Sequence, residues 1–252
     1  MKKIVLIGAG GHCKVIIDII KSTNEYQIVG ITDKSTRGNL LNIPIVGDDS
    51  VLQNIYYKGV KYAFIGIGAI NIRNNIYDKL KKIGFKLPVL IHRNAVVSNY
   101  AKIGDGTCVM AGAIINAGAD IGRNCIINTA SVIEHDCKIG DNTHISPNSS
   151  IAGGVTIGFN THVGIGSSII QSKVIGNNVT VGAGTVVIDD ITDNSTAVGV
   201  PAKILTEGVN TYEFKRKKSI SYRFRRIYRK SSNRKTCEAW SRCNCTCTIQ
   251  FF

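Results

Sequence analysis

The chain has 252 residues, which is enough for two domains, and it carries a formal net charge of +14 at pH 7. Residues 206–252 contribute +9 of that charge and residues 1–205 contribute +5. The basic charge is therefore weak evidence for nucleic-acid binding by the folded part, although the basic tail leaves such a partner open. The sequence has no run of eighteen apolar residues and no N-terminal secretory signal, so we expect a cytoplasmic protein without a membrane span.

The N-terminal segment alternates apolar strand runs with helical patterns. Such alternation is typical of a parallel sheet, whose ligand site lies at the carboxyl ends of the strands. We therefore predict a small Rossmann-like α/β domain over residues 1–88. Its predicted elements are strand 2–7, helix 15–20, strand 27–32, strand 62–65, helix 71–83 and a short strand 85–87.

A glycine turn, Gly8-Ala9-Gly10-Gly11-His12, follows the first predicted strand. It brings backbone N–H groups and a helix N-terminus to a point where a phosphate could bind. The dinucleotide fingerprint G-x-G-x-x-G is incomplete, because Cys13 stands at the third glycine position, and this argues against NAD. Binding of another nucleotide and a purely structural turn both stay open. Asp33, after the second strand, favours the nucleotide.

A six-residue repeat begins at Ile91 and runs seventeen times to Thr192 without an insertion. Every first position is Ile or Val, the fifth is mostly small, and an Ile-Gly pair recurs every eighteen residues. A period of six fits neither an α-helix nor a simple hairpin sheet. It predicts an all-β solenoid in which each repeat supplies a short strand and a corner, the Ile or Val points inward, and three faces close one coil. We assign this β-helix to residues 89–205.

One coil of the predicted β-helix concentrates ionisable side chains, in the run Glu134-His135-Asp136. A carboxylate that accepts the Nδ1 proton of a histidine fixes its tautomer and leaves Nε2 free to take a proton. His135 is therefore a candidate general base, with a solvated surface histidine as the alternative. His144 and His162 lie eighteen residues apart, so we expect their rings to stack as a polar ladder, a subunit contact or a metal site.

Four cysteines are scattered through the first 205 residues, and two of them occupy small fifth positions of the repeat. This distribution indicates packing residues in a reducing compartment, not a disulfide framework. They are Cys13, Cys108, Cys125 and Cys137.

Three motifs together resemble one family. The N-terminal G-x-G-G-H turn, the pattern N-x(6)-H-[DE] that ends at Asp136, and the terminal V-G-x-P-A-K over 198–203 are similar to the sialic acid O-acetyltransferase and UDP-4-amino-sugar N-acetyltransferase family of hexapeptide-repeat acyltransferases. The resemblance covers residues 1 to about 205. It implies a left-handed parallel β-helix, a homotrimer, acetyl-CoA between neighbouring subunits, no metal, and a UDP-type amino sugar held by the first domain.

The resemblance also implies roles for particular residues. His135 is the implied base and Asp136 the residue that raises its basicity. Lys34 stands where the family often has an acid, which leaves base or ribose specificity open. The implied acetyl-CoA contacts are His144, Gly153, Ile165 and Ala183, and the implied nucleotide-sugar contacts are Gly10, Gly11, His12, Asp33, Lys34 and Gly68.

The predicted activity is acetyl transfer to the C4 amine of a nucleotide-linked deoxy amino sugar. Three alternatives stay open: O-acetylation of a sialic acid, a hexapeptide zinc enzyme of carbonic-anhydrase type that uses His135, His144 and His162, and a non-catalytic scaffold.

The tail over residues 206–252 departs from the repeat in composition. It contains basic runs and cysteines spaced C-x(5)-C-x-C-x-C, which matches no familiar zinc pattern. One interpretation is a disordered appendage that binds nucleic acid or anionic lipid. The other is a frameshifted or read-through end, which the abrupt change in composition favours.

Overall fold

The computed structural model describes residues 1–205; the basic tail with Cys237, Cys243, Cys245 and Cys247 lies outside the described residues. The N-terminal part is a five-stranded sheet with helices on both faces. Its elements are β1 Lys2–Ile7, α1 Gly11–Thr23, β2 Tyr26–Thr32, β3 Asn39–Leu40, β4 Ile43–Gly47, a 3₁₀ turn Asp49–Val51, α2 Leu52–Tyr57, β5 Tyr62–Ile65 and α3 Ile70–Ile83.

The strand order in this sheet is β3-β4-β2-β1-β5, and every pairing is parallel except that of β3 with β4. The predicted parallel α/β arrangement is confirmed. The short strand predicted over 85–87 is wrong: Lys86 makes one isolated bridge to Tyr62 before the chain turns into the β-helix. β3, β4 and α2, which have two, five and six residues, were not predicted from the sequence.

Two apolar layers cover the sheet. α1 buries Ile16, Ile17 and Ile20 against one face, and α3 buries Tyr77 and Leu80 on the other. Each fully buried isoleucine stabilises the fold by about 1.5–3 kcal/mol before chain entropy is subtracted. The rigid sheet that results fixes the positions of the loops at its carboxyl edge.

The β-helix follows at once and contains seventeen two-residue strands, each of which ends at an Ile or Val of the predicted repeat. The predicted β-solenoid is confirmed. Its strands are β6 Leu90–Ile91, β7 Val96–Val97, β8 Lys102–Ile103, β9 Cys108–Val109, β10 Ile114–Ile115, β11 Asp120–Ile121, β12 Ile126–Ile127, β13 Val132–Ile133, β14 Lys138–Ile139, β15 His144–Ile145, β16 Ser150–Ile151, β17 Thr156–Ile157, β18 His162–Val163, β19 Ser168–Ile169, β20 Val174–Ile175, β21 Thr180–Val181 and β22 Val186–Val187.

Strands eighteen residues apart pair in parallel, as Ile115 does with Ile133, and this builds three flat sheets around one apolar core. The corners need a left-handed backbone: Asn124 has φ 54° and Asn142 has φ 60°, a conformation that asparagine and glycine adopt most easily. The recurrent Ile-Gly pair has a steric cause. A Cβ on Gly122 would lie 2.7 Å from the amide nitrogen of Asp141 in the next coil.

The last strands close the β-helix. β23 (Thr196–Val198) continues one sheet in parallel with β21, and β24 (Lys203–Leu205) turns back antiparallel to β23. At the opposite end, one outer face of the β-helix packs on the N-terminal sheet domain. Leu90, Cys108 and Ile126 point outward from that face and are buried in the same apolar cluster as Ile16 and Ile20 of α1.

Candidate active site

A cavity of about 860 Å³ opens at the carboxyl ends of β1, β2 and β5. Parallel α/β sheets bind their ligands at this edge, because the loops after the strands converge there. All six residues that the sequence predicts to contact a nucleotide sugar line this cavity. They are Gly10, Gly11, His12, Asp33, Lys34 and Gly68.

The glycine turn shapes one wall of the cavity. β1 ends at Ile7, Gly8 has φ 91°, and α1 begins at Gly11 with no side-chain cap on its first amides. A Cβ on Gly10 or Gly11 would meet nothing within 4 Å, so this wall is open to a ligand. The uncapped N–H groups at the start of a helix are the groups that bind phosphate oxygens.

Asp33 holds this turn in place. Its Oδ2 accepts the Ala9 N–H at 2.8 Å, and its Oδ1 accepts the backbone N–H and the hydroxyl of Ser35 at 3.0 and 2.9 Å. These hydrogen bonds, first that from the Ser35 amide, lower the pKa of Asp33. The carboxylate therefore organises the cavity wall through the backbone, a contribution that the sequence pattern does not reveal.

His12 lies on the first turn of α1, and its Nε2 is buried without a hydrogen-bond partner in the part of the chain that the structure describes. Burial, and then the nearby positive charge of Arg73, lower the pKa of His12 to about 4. The imidazole is thus neutral at physiological pH. A buried unpaired nitrogen at a cavity wall is a group that a bound ligand can satisfy.

The second group of predicted residues lies on a corner of the β-helix, between β13 and β14. The Nδ1 of His135 is 2.9 Å from Oδ2 of Asp136, and the two side chains are 64% and 73% exposed. Asp136 adopts a left-handed backbone with φ 60° at this corner. The sequence prediction that a neighbouring carboxylate accepts the Nδ1 proton matches this geometry, and in that tautomer Nε2 carries a lone pair that can accept a proton.

A glycine of the next coil lies against the His135 imidazole. A Cβ on Gly153, in the next coil, would lie 2.6 Å from both Cε1 and Nε2 of the ring. Glu134, the other flanking acid, instead accepts a hydrogen bond from Asn116 Nδ2 at 2.9 Å. Of the two carboxylates next to His135 in sequence, Asp136 is therefore the one that orients it.

Known proteins share this combination of features. Residues 3–80 match the PglD N-terminal domain family, and residues 118–153 match the bacterial transferase hexapeptide (six repeats) family. The structure superimposes on PerB from Caulobacter crescentus, solved in complex with CoA and GDP-perosamine, with a TM-score of 0.78 and 39% identity over 81% of this chain and 98% of that chain. The chain belongs to the acetyltransferases that join a PglD N-terminal domain to hexapeptide repeats.

Two further relatives agree with this assignment. The acetyltransferase domain of PglB from Neisseria gonorrhoeae, in complex with acetyl coenzyme A, is 38% identical with a TM-score of 0.77, over 81% of this chain and 99% of that one. UDP-N-acetylbacillosamine N-acetyltransferase from Bacillus subtilis is 37% identical over 115 residues, which is 44% of this chain. That match spans 52%, about half, of the curated relative's own length.

In this acetyltransferase the rings of His144 and His162 stack, with centroids 4.9 Å apart and planes inclined by 18°. The predicted stacking is confirmed. Asn128 Nδ2 lies 3.0 Å from Nε2 of His144, and the Ser146 hydroxyl lies 2.8 Å from Nε2 of His162. Burial, and then the neighbouring ring, lower the pKa of His144 to about 3. His144 and His162 continue the outward row that begins with Leu90, Cys108 and Ile126, and His144 lies close enough to His12 for the two rings to interact electrostatically.

The four residues predicted to contact acetyl-CoA do not converge within one chain of this acetyltransferase. Gly153 lies against His135, whereas Ile165 and Ala183 occupy a different corner, after β18 and β21. These last two lie in adjacent coils, where the Gly184 N–H donates to the Ile165 carbonyl at 2.8 Å. Both are exposed to solvent. His144 is half-buried on β15, in the same sheet as β18 and β21, so Gly153 is separated from the other three residues within one subunit.

Among residues 1–205 no group of three or more His, Cys, Asp and Glu side chains is arranged to hold a metal ion. The three histidines of the zinc alternative, His135, His144 and His162, are thus not clustered in one subunit. All four cysteines in this range are free and buried, which confirms their prediction as packing residues. Burial raises the pKa of Cys108 and Cys125 to about 12.

Residue Arg73 was not predicted from the sequence, although it bridges the cavity and the β-helix. Its Nη1 donates to the Gly68 carbonyl, and its other nitrogens donate to the β-helix backbone. Its position on the buried face of α3, with Tyr77 and Leu80, was the one indication in the sequence.

No helix within the described 205 residues is long and apolar enough to cross a membrane.

Proposed function

We propose that this acetyltransferase transfers the acetyl group of acetyl-CoA to the amine of a nucleotide-linked deoxy amino sugar in glycan biosynthesis. The observation that carries the proposal is the exposed His135–Asp136 pair, with Nδ1 and Oδ2 at 2.9 Å, on a corner kept open by Gly153. The CoA complex of PerB and the acetyl coenzyme A complex of the PglB domain support the donor. Because acetyl-CoA is the donor, we propose that the reaction takes place in the cytoplasm.

In this mechanism His135 is the general base. The sugar amine attacks the thioester carbonyl while Nε2 of His135 takes its proton. A new C–N bond forms, the C–S bond breaks, and the proton passes to the leaving thiolate as free CoA. Asp136 keeps Nδ1 protonated, so that Nε2 presents its lone pair to the amine. No covalent acyl-enzyme is required.

We assign stabilisation of the tetrahedral oxyanion to the backbone N–H of Gly153. The neighbouring amides are already bonded: the Ala152 N–H donates to Ile169 at 3.0 Å and the Gly154 N–H donates to His135 at 2.9 Å. The Gly153 N–H has no backbone acceptor among residues 1–205. It is therefore available to a ligand oxygen beside the imidazole.

The nucleotide sugar is proposed to bind in the 860 Å³ cavity, with its diphosphate at Gly10 and Gly11. The relative from Bacillus subtilis, named as a UDP-sugar enzyme, supports a UDP-type substrate, whereas the PerB complex contains a GDP sugar. Lys34 lines the cavity where the family pattern often has an acid, so the substrate panel below includes more than one nucleobase.

We further propose a homotrimer. One subunit leaves Ile165 and Ala183 exposed on a corner distant in sequence from His135, and a neighbouring subunit can bring such a corner to the His135 surface. Acetyl-CoA would then bind between the domains over residues 89–205 of two subunits, while residues 1–88 of one hold the nucleotide sugar. Light scattering on the active enzyme measures this directly, and an active monomer would contradict it.

The test is a panel of UDP-, GDP- and dTDP-linked amino sugars with acetyl-CoA, followed by release of free thiol. We expect turnover with at least one nucleotide amino sugar and none with free sialic acid. His135→Ala should lower kcat about 10²–10⁴-fold, the usual contribution of a general base, with little change in KM for acetyl-CoA. Full activity of that variant would remove the mechanism.

A further inference from the structure

The largest fully buried side chain of the described residues is that of Arg73, which is only 2% exposed. It lies on the first turns of α3 and makes three hydrogen bonds to backbone carbonyls. Nη1 donates to Gly68 at 2.7 Å, Nε donates to Asn124 at 3.0 Å, and Nη2 donates to Asn142 at 2.9 Å. One guanidinium therefore joins the end of the sheet domain to two coils of the β-helix.

Within residues 1–205 the charge of Arg73 has no carboxylate partner. None of the four ion pairs found among residues 1–205 includes it, and burial lowers its pKa. A buried unpaired charge is destabilising compared with an apolar side chain of similar size. A guanidinium holds its N–H donors in one fixed plane and can donate to three carbonyls at once, which neither an apolar side chain nor the single ammonium of a lysine does in that geometry. We therefore attribute the arginine at position 73 to the three carbonyls that it holds in place, and not to a gain in folding stability.

The Arg73 contacts lead from the substrate cavity to the catalytic coils. Gly68 lines the cavity, whereas Asn124 and Asn142 stand in adjacent coils and are joined by a side-chain hydrogen bond of 3.0 Å. Asn142 lies in the turn between β14 and β15, which is the next corner along the chain after the β13–β14 corner that holds His135. Arg73 does not itself line the cavity, so any effect on a ligand passes through Gly68.

We propose that Arg73 is a positioning residue for the acetyl transfer. It fixes the Gly68 wall of the cavity relative to the β-helix, and so presents a nucleotide-bound amine to His135 in one orientation. This inference rests on the proposed function, since it takes the cavity to hold the nucleotide sugar.

Tyr77 provides a matched control. It lies one turn further along α3, is 6% exposed, and donates to Asp105 Oδ1 of the β-helix at 2.7 Å, but it does not line the cavity. Tyr77→Phe therefore weakens the same interface without loosening the Gly68 wall. Arg73→Lys keeps the charge of Arg73 and loses its planar set of three donors.

The experiment measures UDP and GDP binding by calorimetry, together with kcat and KM for the nucleotide amino sugar, in the full-length protein. We expect Arg73→Lys and Arg73→Met to weaken nucleotide binding about tenfold and to lower kcat/KM for the sugar substrate about 10²-fold, while KM for acetyl-CoA stays near that of the wild type. Tyr77→Phe should resemble the wild type. Wild-type affinity and turnover in Arg73→Lys, or equal losses in Tyr77→Phe, would overturn the inference. Absence of nucleotide binding by the wild type would instead overturn the proposed function and this inference with it.

Hydrogen exchange on the wild-type protein gives a second test that does not depend on the folding of a variant. On addition of the nucleotide that binds, amides around residues 124 and 142 should exchange more slowly together with those of the cavity wall. Protection confined to the residues that line the cavity would show that Arg73 does not couple the two.

Discussion

The imidazole of His135 rests against the backbone of Gly153 in the next coil, so closely that a Cβ there would lie 2.6 Å from both Cε1 and Nε2. A methyl group added at Gly153 would therefore clash with the His135 side chain, which is 64% exposed and can move away, and not with fixed backbone. A side chain at position 153 should therefore displace the catalytic imidazole without destabilising the fold.

We predict that Gly153→Ala lowers kcat about 10²-fold, because a displacement of about 1 Å in a catalytic group costs that much. The melting temperature should change little, since the imidazole can swing outward. Gln171→Ala, at the equivalent corner position one coil further from His135, is the control and should keep wild-type kcat. A Gly153→Ala enzyme with wild-type kcat would show that the observed ring position is not the reactive one.

Asp136→Asn should lower kcat less than His135→Ala does. The ring and its Nε2 remain, but the carboxylate that accepts the Nδ1 proton at 2.9 Å is lost, and with it the fixed tautomer. Glu134→Gln is the matched control, because Glu134 bonds to Asn116 and not to the imidazole. Steady-state rates of the three variants decide the order, and a Glu134→Gln loss as large as that of Asp136→Asn would contradict the assignment.

The periodic parts of this fold could be predicted from the sequence, and the junctions between them could not. Every strand from β6 to β22 ends at a residue of the Ile/Val repeat, because one side chain in six must fill the same core. His135 was identifiable because a carboxylate adjacent in sequence is also adjacent in space. Arg73 was not identifiable in this way. Its three acceptors are backbone carbonyls, and any residue type at positions 68, 124 and 142 would supply them.

For Asp33, likewise, only part of its role could be predicted from the sequence. Its place after β2 predicted a ligand contact, and it does line the cavity. Its hydrogen bonds to Ala9 and Ser35 depend on how two loops meet, which no local pattern specifies. The contact of α1 with Leu90 and Ile126 could not be predicted either, because in the six-residue repeat both residues occupy a position that normally faces solvent.

Removal of residues 206–252 should leave assembly and turnover nearly unchanged. The cavity, the His135 corner and the capping strand β24 are all complete by Leu205. Truncation after Leu205, compared with the full chain by light scattering and thiol release, checks this. A large loss of stability or rate would contradict the read-through interpretation and would assign the basic segment a role.

The stability of the enzyme should fall as the pH is lowered from 6.5 toward 4, because two half-buried histidines, His12 and His144, resist protonation in the native protein. The pKa of His12 is lowered to about 4 and that of His144 to about 3, in both cases first by burial. In the unfolded chain each titrates near the reference value of about 6.5. Above that pH both states are neutral and the full stability is present. Below it the unfolded chain binds protons that the native protein does not, so the free energy of unfolding decreases.

Thermal unfolding at pH 8.5, 7.5, 6.5, 5.5 and 4.5 measures this dependence. Asp33, Asp105 and Asp141 also have lowered pKa values, but carboxylates of that kind lose their contribution at still lower pH, below about 4. We therefore expect His144→Asn to reduce the pH slope between 6.5 and 4.5 by about one proton, and to melt in parallel with the wild type between pH 7.5 and 8.5. An unchanged slope in His144→Asn would mean that His144 is protonated in the native protein, in conflict with its burial against His162.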